Sequence, residues 1–493
     1  MPKLINVAIW LLKVSTKLDK KKKGLPPVRF FIFGLIALTS IFIFVTEPFG
    51  FSDKLSSSAV LVLLVVGALA TGVIPEQITI LIFFLLAMLL VVASPPIVFS
   101  GFVSGAFWLV FGGLIIGAAV ETTGLGNRIA RGLISYVSGS YMWVVATIVL
   151  INVILIFLMP STLSRVVLLI PIVVSISDQM GYLRGSKPAN GLVMATVLTA
   201  YLCSTSVLPA NVPNNVLMGA SETFLNTPIR YFEYFLLHFP ILGLLKAVIV
   251  WGAVVYLFRP EKFKVNTPIG DTRSIKKSET KLLKDERRIL ILLMCALLLW
   301  ATDAVHGITP AWVSLAIGIA CLFPKFGVVS PSEFKEKVAI GPLLYVAGII
   351  GIGAVVADSG LGNYLSKVMI EASNLSPDSP MSGFIVLSGI SMLLSFFSTM
   401  PGVPAIMIPL APELQAASGL PLKTVVMTQV IGFSTVWLPY QVPPIIVGMQ
   451  LAGVPMAVGV KVTSLIAILS VILLTPLIII WWQFLGYLPY RII

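Results

Sequence analysis

Two closely similar proline-containing segments interrupt long apolar runs, one in each half of the chain. Both read S-T-x-x-L-P-x-(N/Q)-V-P, over 204–213 and 434–443. Proline lacks a backbone N–H and clashes with the preceding turn, so the two prolines of each segment end any regular helix. Unpaired backbone at membrane depth is tolerated only where protein or a water-filled cavity covers it. The pattern therefore predicts two interrupted membrane helices that meet as the halves of one site, an arrangement typical of transporters.

The composition places the chain among helical membrane proteins. Apolar residues make up 58% of the 493 residues and charged residues 11%, whereas soluble domains average about 45–50% and about 25%. The net charge is +13, but eight of the 33 basic residues precede the first apolar run and ten lie within 259–288. Basic clusters beside spans mark the cytoplasmic side. The charge thus argues against a nucleic-acid partner and predicts a cytoplasmic N-terminus.

Apolar runs long enough to cross a bilayer divide the chain into two similar halves. The predicted order is a basic cytoplasmic N-terminus, a first span, repeat 1, a cytoplasmic linker and repeat 2, at 1–29, 30–54, 55–258, 259–288 and 289–488. A second pair of matching segments supports the repeat. G-A-A-V-E-T-T-G-L-G-N from Gly117 aligns with G-A-V-V-A-D-S-G-L-G-N from Gly353, at nearly the same separation as the two proline-containing segments.

Each repeat is expected to contain a re-entrant hairpin followed by a broken span. The hairpins are placed at 141–180 and 381–417, and the broken spans at 191–219 and 424–455. Each repeat then has an odd number of crossings, so the second copy is inverted, most basic loops fall inside and the C-terminus lies outside. The predicted fold is an all-α polytopic membrane protein with about eleven transmembrane helices plus two re-entrant hairpins in two inverted-topology repeats.

The two hairpin tips carry hydroxyl side chains beside helix starts. They read P-S-T-L-S-R at 160–165 and S-T-M-P-G-V-P at 398–404. A helix N-terminus presents free N–H groups and a positive dipole end, which favour an anion. The hydroxyls can donate to a carboxylate or ligate a cation; the alternative is that they only cap their helices. The substrate-binding candidates at the tips are Ser161, Thr162, Ser164, Arg165, Ser398 and Thr399.

Arg165 is the most informative of these residues, because it lies within an apolar run. An arginine there costs about 2.5–3.5 kcal/mol on insertion scales and usually faces a cavity or a partner. Its planar fork suits a carboxylate or another oxyanion. It could also supply positive charge that a bound metal ion would otherwise bring. The structural alternative is an ion pair with Asp178 or Glu413.

The breaks add amide side chains and further hydroxyls. Substrate-binding candidates there are Asn211, Pro213, Asn214, Gln441 and Pro443; the amides could instead satisfy the backbone of the broken helices. Cation-binding candidates across tips and breaks are Ser161, Thr162, Ser204, Thr205, Ser434 and Thr435. If protons couple transport, Glu121, Asp178 and Glu413 near helix ends are the first candidates.

Sequence signatures of catalysis are absent. The chain has no H-E-x-x-H, no G-x-S-x-G, no phosphate-binding G-K-[ST] loop and no metal-spaced Cys/His set. It is therefore predicted not to be an enzyme, to have no catalytic or structural metal site, and to need no cofactor beyond sodium ions or protons for coupling.

At these motifs the chain resembles the divalent anion/sodium symporter family, which carries di- and tricarboxylates and sulfate. That family shows S-N-T-A-T at a hairpin tip, or S-N-T-A-R in its exchangers, with a proline ten residues after the serine. Here Ser161 and Pro171 keep that spacing, and Arg165 falls on the exchanger-type arginine. Val212-Pro213-Asn214 stands where the family has P-P-N in its break. Thr162 replaces the family's asparagine, and the second tip has none.

The resemblance implies an elevator mechanism, with a homodimeric scaffold and a moving domain that holds both hairpins. It also implies that tips and breaks hold sodium and the substrate carboxylates. Because this chain lacks the family's asparagine at both tips, exchange or proton coupling is as strong an expectation as sodium symport.

The patterns together predict a secondary-active transporter of small organic anions, di- or tricarboxylates, which works by elevator-type alternating access through exchange or cation-coupled symport. It is expected to be a multi-pass protein of the cell (inner) membrane and a homodimer, with membrane lipid and a small-molecule anion as its partners. Two alternatives stay open: a carrier of sulfate or another inorganic oxyanion, and a non-transporting membrane sensor or scaffold.

Overall fold

The computed structural model of the protein consists of helices and connecting segments, with no strand in the described residues. These residues are 27–46, 52–134, 140–260 and 283–489. Most of the predicted basic N-terminus and most of the predicted linker lie outside them.

The helices follow the apolar runs. In the first half they are α1 (Pro27–Thr46), α2 (Asp53–Thr71), α3 (Glu76–Leu89), α4 (Pro95–Val98), α5 (Ser100–Val103), α6 (Gly105–Thr123), α7 (Leu125–Ile134), α8 (Tyr141–Leu158), α9 (Thr162–Gln179), α10 (Lys187–Leu202), α11 (Val212–Leu225), α12 (Tyr231–His238) and α13 (Lys246–Leu257). In the second half they are α14 (Lys284–Ala301), α15 (Asp303–His306), α16 (Pro310–Leu322), α17 (Pro331–Lys337), α18 (Ile340–Asp358), α19 (Leu361–Ser373), α20 (Pro380–Phe397), α21 (Gly402–Met407), α22 (Ala411–Ser418), α23 (Leu422–Phe433), α24 (Pro443–Leu451), α25 (Met456–Leu469) and α26 (Thr475–Phe484).

Many of these helices have the length and composition of membrane spans. Within the described residues, seven are long and apolar enough to cross a membrane, and five apolar helices are shorter. Each predicted span falls on a helix or on an interrupted pair of helices. The chain is therefore an all-α, multi-pass membrane protein, as its sequence predicts.

Two spans contain a π-helical turn that the sequence analysis does not predict. Phe239–Leu245 joins α12 to α13, and Ser470–Leu474 joins α25 to α26. The separation between the two turns is close to that between the duplicated breaks. A π turn is a local over-widening of an α-helix, and such turns are frequent at functional sites. The matching positions agree with a duplicated chain.

The chain packs as two compact units, and each takes segments from both predicted repeats. Unit 1 is Met1–Phe107, Gly219–Thr227 and Ile340–Gly432. In it, α18 packs against α3, α4 and α5. The contacts are close, because a Cβ atom on Gly101 would lie 2.0 Å from the carbonyl oxygen of Ala347. Glycine at such positions lets membrane helices approach each other.

Unit 2 is Trp108–Met218, Pro228–Ala339 and Phe433–Ile493. In it, α10 packs against α8, α9, α13 and α24. A largely buried ion pair joins α7 to α14, with 2.8 Å between Arg128 Nε and Glu286 Oε1. This unit contains the first hairpin tip and both proline breaks, so most of the predicted site lies within one packed body.

The two predicted hairpins differ in their return arms. In the first, α8 ends at Leu158 and α9 begins at Thr162, and the arm after the tip is one continuous helix. In the second, the return arm is divided into α21 and α22 by a non-helical stretch at 408–410, a division that the sequence analysis does not predict. Pro409 explains it, because a proline inside a helix removes a hydrogen bond and clashes with the preceding turn.

Candidate functional site

The first break separates α10 from α11. α10 ends at Leu202 and α11 begins at Val212, and two short 3-10 turns, Ser204–Ser206 and Leu208–Ala210, lie between them. Pro213 occupies the first turn of α11. Backbone N–H groups there have no intrahelical partner, so the missing N–H of proline costs no hydrogen bond. The whole segment is buried apart from the half-buried Val212.

Two asparagine side chains hold the first break together. Asn214 Nδ2 donates to the carbonyl oxygens of Ser204 (3.2 Å) and Val207 (2.8 Å). Asn211 Oδ1 accepts from the Asn214 N–H (3.1 Å), and its Nδ2 donates to Ser204 Oγ (3.3 Å). These amides therefore satisfy unwound backbone and its neighbours, which is the alternative role that the sequence left open for them.

The first hairpin tip lies directly against this break. Ser161 caps α9, because its Oγ accepts from the N–H (3.2 Å) and from the Oγ (3.0 Å) of Ser164. Thr162 Oγ1 is buried and lies 3.5 Å from Ser204 Oγ and 3.4 Å from the carbonyl oxygen of Ala210. Ser161 and Ser164 are half-buried, so the tip presents hydroxyl groups at the edge of a buried polar region.

Arg165 is fully buried at the centre of this contact. Its Nη2 donates to Thr162 Oγ1 (3.1 Å) and to the carbonyl oxygens of Ala200 (2.9 Å) and Ala210 (3.3 Å), and Nη1 donates to the carbonyl oxygen of Met159. Its Nε has no partner among the described residues. The guanidinium thus joins the tip to both sides of the first break.

The alternative of an ion pair between Arg165 and Asp178 does not occur. Asp178 instead pairs with Arg184 at the surface, at 3.3 Å. In the described part of the chain, the hydrogen-bond partners of the Arg165 guanidinium are carbonyl and hydroxyl oxygens and no carboxylate. Its positive charge is therefore left without a negative side chain beside it.

The second break separates α23 from α24 and is also unwound. α23 ends at Phe433, a 3-10 turn covers Pro439–Gln441, and α24 begins at Pro443. Gln441 Oε1 accepts from the N–H groups of Trp437 (2.8 Å) and Leu438 (2.9 Å). Its amide oxygen, like the amides of the first break, is bonded to local backbone.

Side chains from distant parts of the sequence complete the second break. Thr463 Oγ1 (2.8 Å) and Ser464 Oγ (3.0 Å), both on α25, donate to the carbonyl oxygen of Trp437. Lys246, the first residue of α13, donates from Nζ to the carbonyl oxygen (2.8 Å) and Oγ (3.2 Å) of Ser434. Lys246 is 1% exposed, so a second buried cation belongs to this region.

The two breaks meet within unit 2. Tyr201, near the end of α10, donates from its hydroxyl to the carbonyl oxygen of Phe433 at the end of α23 (3.0 Å). On α24, a Cβ atom at Gly448 would lie 2.3 Å from Val197 Cγ1 and 2.8 Å from Val166 Cγ1. The duplicated segments are thus unwound and adjoin each other, as the sequence predicts.

The second hairpin tip belongs to unit 1. Ser398 follows α20, and its Oγ donates to the carbonyl oxygen of Leu394 (3.1 Å). Thr399 Oγ1 forms a hydrogen bond with the hydroxyl of Tyr345 on α18. α21, which follows the tip, starts at Gly402. The participation of Ser398 and Thr399 in substrate binding stays a prediction.

Five residues that hold the breaks lie outside the predicted site: Tyr201, Tyr234, Lys246, Thr463 and Ser464. The Tyr234 hydroxyl donates to the carbonyl oxygen of Thr205 (2.6 Å) and lies 3.1 Å from Asn214 Oδ1; an apolar helix rich in aromatic residues offers no signal for it. Lys246 did offer a signal, because it is a lysine inside the apolar span Tyr231–Leu257. An ionisable residue within a span is a functional candidate by default.

The arrangement concentrates positive charge without negative side chains. Arg165 and Lys246 are both buried, and in the described residues neither forms an ion pair with a carboxylate. Buried charge of one sign is costly unless a partner compensates it. A small anion would supply that compensation, and the hydroxyls of the first tip could orient it.

Three known proteins illustrate what the chain is similar to. A "Membrane protein" of Cupriavidus necator is 22% identical over 68% of this chain and 66% of its own length. An "L-tartrate/succinate antiporter" of Escherichia coli (strain K12) is 24% identical over 70% of this chain and 72% of its own length. The crystal structure of the Alcanivorax borkumensis YdaH transporter is similar over 78% of this chain and 86% of that chain, with a TM-score of 0.48 and 14% identity.

A family model covers nearly the whole chain. The model described as "Sodium:sulfate symporter transmembrane region" matches residues 29–488, and these include both breaks and both tips. The protein is therefore a secondary transporter and not an enzyme. By this match the chain belongs to the sodium:sulfate symporter family, the divalent anion/sodium symporters that its motifs resemble.

Proposed function

We propose that the protein transports small organic dianions such as succinate or tartrate across the cell (inner) membrane. The observation that carries this proposal is the buried Arg165, whose charge has no carboxylate beside it in the described residues. A guanidinium donates strong hydrogen bonds to carboxylates, and the Nε–H of Arg165 has no partner among the described residues. The relatives named as L-tartrate/succinate antiporters support a dicarboxylate as the substrate.

In this proposal the anion binds where the first tip meets the two breaks. Ser161, Ser164 and Arg165 contribute hydroxyl and guanidinium donors, and Thr162 orients the guanidinium. The unwound backbone is held in shape by the remaining predicted residues of the breaks, which are Asn211, Pro213, Asn214, Gln441 and Pro443.

The proposed transport cycle is elevator-type alternating access in a homodimer. About eleven helices cross the membrane, the two hairpins re-enter from opposite sides, and the two repeats are inverted. The duplicated breaks and the matching π turns support the repeat. The N-terminus is cytoplasmic and the C-terminus lies outside, in accord with the basic residues at 1–29 and 259–288.

The test of this function is uptake by the purified protein in proteoliposomes that contain succinate. We expect labelled succinate or tartrate to enter, and Arg165→Met to lower the rate at least tenfold while the protein still elutes as a folded species. Arg184→Met is the matched control, because the Arg184 side chain is 77% exposed. Undiminished uptake by the Arg165 variant would contradict the proposed role.

A second candidate function is transport of sulfate or another inorganic oxyanion, which the description of the family favours. Competition distinguishes the two candidates. An excess of unlabelled succinate should suppress the uptake of labelled tartrate, and sulfate should leave it unchanged. Uptake of labelled sulfate that succinate fails to inhibit would replace the dicarboxylate with an inorganic anion.

A further inference from the structure

Lys246 is a buried basic side chain at the second break, as Arg165 is at the first. Arg165 donates to the carbonyl oxygen of Ala200, in the last turn of α10. Lys246 donates to the carbonyl oxygen and the hydroxyl of Ser434, the residue that follows α23. The last carbonyls of a helix lack intrahelical donors and carry partial negative charge. Each interrupted helix thus has a side-chain cation at its carboxyl end.

Carbonyl and hydroxyl oxygens at unwound helix ends are also the groups that bind coupling cations in transporters. The description of the family names sodium, so a sodium site would be expected among the oxygens of the tip and the two breaks. Thr162 Oγ1 lies 3.1 Å from Arg165 Nη2, and Ser434 Oγ lies 3.2 Å from Lys246 Nζ. A sodium ion on either oxygen would lie beside a fixed positive charge. These two hydroxyl oxygens therefore do not fit a sodium ion.

We propose that Lys246 is the resident cation of the second break, where its ammonium group takes the place of a dissociable coupling cation. The proposal rests on the proposed transport of dianions and names the way in which that transport is driven. A tethered ammonium group cannot leave with the substrate, so its charge remains in the carrier at every step.

The two positive charges limit the form in which the carrier can move back across the membrane. With Arg165 and Lys246 both charged, the carrier without substrate holds two buried positive charges, and a dianion neutralises both. Moving uncompensated charge through a bilayer is costly, so the loaded form is the one that crosses. Transport is then a one-for-one exchange of dianions that needs no sodium and does not respond to the membrane potential.

The test uses proteoliposomes that contain succinate and measures the entry of labelled succinate. In the wild type we expect the rate to be unchanged when choline replaces sodium, or when a potassium gradient with valinomycin imposes a potential, and to fall at least tenfold without internal succinate. Lys246→Met should lower exchange at least tenfold and Lys246→Arg should retain most of it. Lys461→Met, which changes an exposed lysine on α25, should behave as the wild type.

Direct binding of ²²Na⁺ to the purified protein provides a readout that is independent of transport, and we expect none above background. Specific ²²Na⁺ binding by the wild type, sodium-dependent uptake, or full exchange by Lys246→Met would each overturn the assignment. Equal losses in the Met and Arg variants, both folded by size-exclusion chromatography, would also overturn it. A wild type that moves no anion at all would refute the proposed function instead, and ²²Na⁺ binding would still decide the role of Lys246.

Discussion

The two breaks share a sequence pattern but are held in place by different parts of the chain. In the first, Asn211 and Asn214 of the segment itself bond to its backbone and to Ser204. In the second, Gln441 is the corresponding local amide, and further bonds come from Lys246 and from Thr463 and Ser464 on α25. The carbonyl oxygens of Ser204 and Val207 therefore accept from a side chain of their own segment, whereas those of Ser434 and Trp437 accept from side chains of other helices.

The sequence explains this difference. When the two segments are aligned, Asn211 corresponds to Gln441, but Asn214 corresponds to Pro444. Proline has no side-chain donor, so the second break has nothing at that position to bond its carbonyl oxygens. Buried backbone groups are nearly always paired, and here side chains from other helices supply the partners. A duplicated motif can thus keep its shape while its supporting residues change.

The largest effect is expected from a substitution that removes the local support of the first break. Asn214→Leu removes the donor to the carbonyl oxygens of Ser204 and Val207. Two buried hydrogen bonds are lost, although each carbonyl oxygen keeps one backbone donor, the N–H of Val207 or of Ala210; the loss should cost about 2–3 kcal/mol of stability. Thermal unfolding of the protein in detergent measures the loss, with Asn363→Leu on an exposed face of α19 as the control. An unchanged unfolding midpoint would show that the break does not depend on its own asparagine.

A smaller effect is expected from Tyr234, which supports the first break from outside its segment. Tyr234→Phe removes the hydroxyl that donates to the carbonyl oxygen of Thr205. The loss of a single hydrogen bond at a membrane-buried carbonyl should cost about 1–2 kcal/mol. Tyr256→Phe is the matched control, because Tyr256 is 82% exposed. A loss as large as that of Asn214→Leu would remove the distinction between local and distant support.

The smallest effect is expected in the second break, where two donors serve one acceptor. Thr463→Val should change stability by less than about 0.5 kcal/mol, because Ser464 Oγ still donates to the carbonyl oxygen of Trp437. The double variant with Ser464→Ala should lose more than the two single variants together. Strict additivity in a double-mutant cycle would show that the two hydroxyls do not substitute for each other.

Features that depend on local chemistry can be predicted from this sequence. The breaks follow from prolines within apolar runs, and the first hairpin follows from a polar tip between two apolar helices. In each case one or two residues decide the conformation without help from distant parts of the chain.

Features that depend on tertiary contacts could not be predicted in the same way. Pro240 lies in the first π turn and Pro476 just after the second, but a proline alone does not specify a π turn. The roles of Tyr234 and Lys246 appear only when α12 and α13 lie beside the breaks. The division of the second return arm had a signal in Pro409, but a proline alone does not tell a kink from a break. Hydrogen bonds between distant residues decide these points.

The π turn at Phe239–Leu245 has a consequence for the residue that follows it. An α-helix turns by about 100° per residue, and a π turn contains an extra residue. Lys246 therefore begins α13 rotated from the face that regular winding would give it, and in that position its ammonium group reaches Ser434. Loss of one residue from this turn would leave the composition of the span almost unchanged and would point the lysine elsewhere. The positive charge at the second break thus depends on the number of residues in the π turn as well as on the residue types.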